Sequence, residues 1–142
     1  MNYEKYMKKV IKLSEKASMI GEVPVAAIII KENKIVSKAY NIKEKKKDPT
    51  QHAEIMAIKK ACKKTNNWRL NKCLLFVNLE PCIMCFGAII ESRINTIVCG
   101  TINEKYHNEI VELSKKHNIK IIYNVLQEEC SKKLKTFFNN KR

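Results

Sequence analysis

The sequence predicts an α/β fold, one sheet with helices packed on both of its faces. Three observations carry this. Segments with apolar residues at helical spacing alternate with short apolar runs of strand length. A length of 142 residues suits one hydrophobic core. No internal repeat or Gly/Ser/Pro-rich linker breaks the alternation, so a single domain over 1–142 is expected.

Each element has its own signal. Residues 3–20 place Tyr6, Val10, Leu13, Ala17 and Ile20 on one side of a helix. Pro24 to Ile30 is a continuous apolar run, suited to a strand covered on both faces. A turn at Glu32-Asn33 lets Lys34 to Tyr40 return as the second strand of a hairpin. Lys43 to Pro49 is polar and lysine-rich, and reads as a loop. A helix over His52 to Lys64 follows, with Ile55, Ile58 and Cys62 on its apolar side. Cys73 to Asn78 reads as a strand, Cys82 to Ser92 as a helix and Ile94 to Cys99 as a strand. Helix over Glu104 to His117, strand over Ile119 to Tyr123 and a closing helix over Leu126 to Asn139 complete the chain.

Composition narrows the function classes. Apolar residues make up 45% and charged residues 30%, the balance of a folded globule. No apolar run approaches the roughly 20 residues that span a bilayer. The start, Met1-Asn2-Tyr3-Glu4-Lys5, lacks the charged-then-apolar order of a signal peptide, so a cytoplasmic protein is expected. Of six cysteines, Cys62, Cys73, Cys99 and Cys130 stand singly among apolar residues and read as core. The net charge of +14 fits attraction to a polyanion such as RNA. However, 25 of the 28 basic residues are lysine, a pattern that a bias toward A- and T-rich codons also produces.

Two segments carry chemistry: Thr50-Gln51-His52-Ala53-Glu54 and Leu79-Glu80-Pro81-Cys82-Ile83-Met84-Cys85. Each falls where a strand or loop meets the start of a helix. His52, Cys82 and Cys85 offer one imidazole and two thiolates, a donor set that Zn²⁺ prefers. Amides and the positive end of a helix dipole stabilise such thiolates. Three protein ligands leave a fourth position for water, the mark of a catalytic site. Glu54, two residues after His52, is placed to take a proton from that water and pass it on. A Cys-x-x-Cys pair alone would also fit a redox couple or half of a structural zinc site. The upstream His-Ala-Glu argues against the former, and the lack of a second Cys-x-x-Cys against the latter. His107 and His117 have no such company and read as surface residues.

H-x-E followed by P-C-x-x-C is the signature of zinc deaminases acting on nucleobases. Across nearly its full length the chain resembles the bacterial tRNA adenosine deaminases, which make inosine at the anticodon wobble position. The likeness rests on Glu22-Val23-Pro24-Val25-Ala26-Ala27, Asp48 to Ala57, Asn67-Trp68-Arg69-Leu70, Leu79 to Cys85, Gly87-Ala88, Ser92-Arg93-Ile94, Leu126 to Cys130 and Phe137-Phe138. It implies a cytidine-deaminase-like three-layer α/β/α sandwich around a five-stranded mixed sheet, commonly as a homodimer. It implies one Zn²⁺ per chain and a tRNA anticodon stem-loop as partner, with no membrane involved. By position, Asn41 would hydrogen-bond the target base and the Ala53 backbone would lie against it. Phe137 and Phe138 would lie near the flanking bases, and Trp68 and Arg69 near RNA or the dimer interface. An anticodon loop displays bases that are already nearly unpaired, which suits chemistry in a buried site.

One segment departs from that pattern. Thr101 to Asn108 contains no glycine, where the family has a longer loop with Gly-Ser-Leu. Asn103 stands where the family often has aspartate, so relaxed recognition of the nucleic-acid backbone is expected. A free-base or nucleotide deaminase, of guanine or deoxycytidylate type, is the nearest alternative. A catalytically silent zinc protein serving as an RNA-binding subunit is a second, and Glu54 speaks against it.

Overall fold

The computed structural model describes residues 1–140. Its elements are α1 (Tyr3–Met19), β1 (Ala26–Lys31), β2 (Lys34–Tyr40), α2 (Lys43–Lys46), α3 (Ala53–Thr65), β3 (Cys73–Leu79), α4 (Ile83–Ser92), β4 (Thr96–Thr101), α5 (His107–Lys116), β5 (Lys120–Ile122) and α6 (Gln127–Asn140). The five strands form one sheet in the order β2-β1-β3-β4-β5. β1 runs antiparallel to both β2 and β3, whereas β3, β4 and β5 are parallel. This is the mixed α/β sandwich that the sequence predicts.

Alternation along β1 builds two cores. Ala27 and Ile29 face α3, α4 and α5, meeting Ala57, Phe86, Ile89 and Ile110. Ala26, Ile28 and Ile30 face the other way, onto Met7, Val10 and Ile11 of α1 and Cys130 of α6. Strands buried on both sides explain why the apolar runs of β1, β3 and β4 are continuous rather than alternating.

Several boundaries move for identifiable reasons. β1 begins at Ala26, not Pro24, because the Asn78 side chain takes the place of ladder pairs there. Its Oδ1 accepts from the Ala26 N–H at 3.0 Å and its Nδ2 donates to Pro24 O at 2.8 Å. β4 runs on through Gly100 to Thr101. A Cβ at Gly100 would strike Cys130 Sγ and come within 2.6 Å of Asn78 O, so only glycine lets the strand continue here. The expected lysine-rich loop contains the helical turn α2. The buried Glu22 carboxylate holds it by accepting from the Glu44 and Lys45 N–H groups at 2.9 and 2.7 Å.

Buried faces also differ from expectation. α1 buries Met7, Ile11 and Ser14 beside Tyr6, Val10 and Ala17, while Ile20 lies outside the helix and is exposed. α3 turns an alanine stripe to the sheet (Ala53, Ala57, Ala61), which lets the helix lie close, and Ile55, Ile58 and Cys62 are only half-buried. Cys62 is thus not a core residue, whereas Cys73, Cys99 and Cys130 are fully buried. No described helix is long and apolar enough to cross a membrane.

Candidate metal centre and base cavity

The strand register brings the start of β1 and the ends of β2, β3 and β4 to one end of the sheet: Ala26 pairs with Tyr40, and Leu79 with Thr101. Two helices begin at that end. His52 is the capping residue of α3 and Cys82 that of α4, both with extended backbone, and Cys85 lies in the first turn of α4. Both positive helix ends therefore point at one spot.

His52 Nδ1 stands 3.7 Å from Cys82 Sγ and 3.5 Å from Cys85 Sγ. Tetrahedral bonds of about 2.3 Å to sulfur and about 2.0 Å to nitrogen put ligand N and S about 3.5 Å apart. All three candidate ligand atoms lie within 4.8 Å of one another. Geometry and chemistry of the donor set thus both fit a metal ion.

The electrostatics fit as well. The Cys82 thiol is pulled down to about 4, first by its hydrogen bond with Cys85 and also by His52. The Cys85 thiol is pushed far up by the same bond and by burial. His52 is raised, mainly by its bond with Cys82. A divalent cation held between them would favour both thiolates. Glu54 is buried, and desolvation lifts its carboxyl to about 7, with the Cys82 charge adding and His52 opposing.

These residues open onto a cavity of about 140 Å³, the scale of a single heterocyclic base. Of the expected substrate contacts, Asn41, Ala53 and Asn103 line it together with His52, Glu54 and Cys82. The buried Asn41 accepts from the Lys43 N–H at 3.2 Å through Oδ1 and donates to Val23 O at 3.4 Å. Asn103 donates its backbone N–H to Glu80 Oε1 at 3.1 Å, while its side chain accepts from the Lys105 N–H at 3.2 Å.

Phe137 and Phe138 are not part of this cavity. Their rings meet edge-on at 5.6 Å on α6, where Phe138 is exposed. Phe137 lines a larger, open groove of about 760 Å³ between α1 and α6. No histidine or cysteine lines that groove among the described residues, so the larger concavity is not where the chemistry sits. Trp68 also lies outside the cavity, half-exposed, with the Arg69 and Arg93 guanidinium groups 4.3 and 5.7 Å from its ring centre.

Sequence reasoning missed four residues here. Glu80, with a fully buried side chain, lines the cavity and accepts from Tyr123 Oη at 2.6 Å. His107 Nδ1 lies 3.0 Å from the same carboxylate oxygen, so His107 is no free surface residue. Burial, and then donation to Glu80, push the Tyr123 hydroxyl well up. The partners lie 27 and 43 residues from Glu80 in sequence, too far for any local pattern to join them. Lys43 was also missed, set at the cavity mouth by the α2 turn. The one available signal was the carboxylate of Glu80, placed immediately before Pro81-Cys82.

Comparison with known proteins agrees with this site. The family model of the MafB19-like deaminases matches residues 1–142. A tRNA-specific adenosine deaminase of Aquifex aeolicus is 42% identical over 148 residues, covering all of this chain and 97% of its own. A solved structure from work on A-to-I editing by tRNA:A34 deaminases at the wobble position superposes with a TM-score of 0.86. Its identity is 26%, over 92% of this chain and 99% of that one. The guanine deaminase of Nitrosomonas europaea shares the fold at a TM-score of 0.85, with 22% identity over 94% of this chain and 83% of that one. A triad that could ligate a metal beside a buried glutamate, on a chain alike from end to end, goes with this protein's membership of the MafB19-like deaminase family and of the tRNA-specific adenosine deaminases.

Proposed function

We propose that this chain hydrolytically deaminates adenosine to inosine at the wobble position of a tRNA anticodon. The observation that carries the reading is the convergence of His52, Cys82, Cys85 and buried Glu54 on one base-sized cavity, in a chain so similar to a tRNA-specific adenosine deaminase. One Zn²⁺ per chain, held by His52 Nδ1 and the two thiolates, would supply Lewis-acid activation of water. Glu54 takes a proton from the attacking water. It returns protons to the ring nitrogen and to the departing amine, so that adenosine and water become inosine and ammonia. Its burial supports that role, since a carboxyl titrating near neutrality both accepts and donates.

Asn41 presents its amide to the base, and the Ala53 backbone forms part of the wall. Phe137 and Phe138, outside the cavity, stack on the flanking bases. Residues 1–142 act as one deaminase domain in the cytoplasm, where tRNA is modified. The active form is a homodimer. Exposed Trp68, Ile83 and Met84, an apolar set on the α3–α4 side, support that assembly.

Zinc-loaded protein incubated with an anticodon stem-loop bearing a wobble adenosine tests the reading, with free adenosine, cytidine and guanine alongside. Mass spectrometry of the nucleosides should show inosine in the stem-loop alone. Turnover of free guanine or cytidine, with the stem-loop untouched, would replace the tRNA assignment by that of a free-base or nucleoside deaminase.

A further inference from the structure

Two open grooves, of about 280 and 270 Å³, run along the β2 edge of the sheet and share Leu13, Lys16 and Lys38. Six exposed lysines line them: Lys9, Lys12 and Lys16 of α1, Lys38 of β2, Lys45 of the α2 turn and Lys60 of α3. Among the described residues, no aspartate or glutamate lines either groove, and none of the six lysines is in an ion pair.

A bias in composition would scatter lysines among carboxylates. That pattern does occur on the α6 side, where Lys133 pairs with Glu15 at 2.8 Å. Protection of an edge strand accounts for two of the six at most. Lys60 Nζ donates to Lys38 O at 3.2 Å on the open edge of β2. It does not account for three lysines on a helix face. Six like charges without counter-charge repel one another, and an anion laid along the groove relieves that repulsion.

The groove also leads to the cavity. Ile42 lines it, and the adjacent Asn41 and Lys43 line the base-sized cavity. We infer that this lysine groove is a docking track for the phosphodiester backbone of the RNA whose base enters the cavity. Lys9 to Lys16 span about 10 Å of helix, long enough to meet more than one phosphate of a strand. Apolar side chains on the floor, Leu13 and Ile35, take the lysine stems and leave the ammonium groups to the phosphates. The track rests on the deaminase reading only for the identity of its RNA.

The test compares two zinc-loaded triple variants of equal net charge. Lys9→Gln/Lys12→Gln/Lys16→Gln empties the α1 side of the track. Lys115→Gln/Lys116→Gln/Lys120→Gln removes the same charge near β5, at the opposite sheet edge. Binding of a labelled tRNA transcript is followed between about 50 and 200 mM salt. The track variant should bind about 10²-fold more weakly, with the log–log salt slope reduced by about 3. The control should differ little from the unmodified protein, in binding and in inosine formation. Equal weakening of the two variants, or of neither, overturns the track. Failure of the unmodified protein to make inosine, with the binding difference intact, would overturn the deaminase reading and leave the track standing.

Discussion

Glu54 sits where two demands conflict. In the role proposed for it, it must be ionised to take a proton, yet burial favours its neutral form. The outcome, a carboxyl near neutrality, suits a group that both receives and delivers protons. Glu54→Gln keeps the shape and removes that capacity. We expect kcat to fall by about 10³-fold or more, with zinc content by atomic absorption unchanged. Asn103 makes a second prediction. It lines the cavity as a neutral amide beside two acidic residues, Glu54 and Glu80. Asn103→Asp should raise the preference for RNA over DNA of the same sequence, and unchanged selectivity would refute its role. At this scale His52, Glu54, Cys82 and Cys85 were legible because each pair is set by two or three residues of spacing at a helix start. Glu80, His107 and Tyr123 were not, because their bonds join β3 to α5 and to the segment after β5.

The α2 turn shows how an element escapes a local reading. Its sequence, Lys43-Glu44-Lys45-Lys46, has neither apolar periodicity nor a capping side chain of its own. What forms it is the Glu22 carboxylate, 22 residues upstream of Glu44 and buried before β1 begins. The same turn fixes the backbone of Lys43, and so part of the cavity wall. Glu22→Ala leaves two amides without their acceptor, at a cost of about 2 kcal/mol, readable by urea unfolding. KM for the stem-loop should rise more than kcat falls, because the metal ligands stand on other elements. A loss confined to kcat would place Glu22 in the chemistry instead. The long elements, by contrast, were legible, since a seven-residue apolar strand such as β3 and a 17-residue helix such as α1 declare themselves by length and period. The buried alanine face of α3 was not, because alanine carries little hydrophobic signal beside isoleucine.

On the scale of the whole molecule, the candidate metal centre is also a fold-level contact. α3 packs against β1 and β2, and α4 follows directly from β3, so their two starts meet where the two halves of the chain join. An ion that binds the folded state alone stabilises the entire domain. At a free zinc concentration one hundred times Kd this amounts to about 2.7 kcal/mol, or roughly 5–10 °C in Tm for a chain of this size. A chelator should therefore lower Tm by that amount, and added Zn²⁺ should restore it. Cys82→Ser, which removes one ligand, should melt at the chelated temperature and respond little to either reagent. The response should also weaken in acid, because zinc binding requires the thiols deprotonated and the imidazole neutral. Equal melting of the native protein with and without chelator would mean that hydrogen bonds among His52, Cys82 and Cys85 alone hold the two helix starts together.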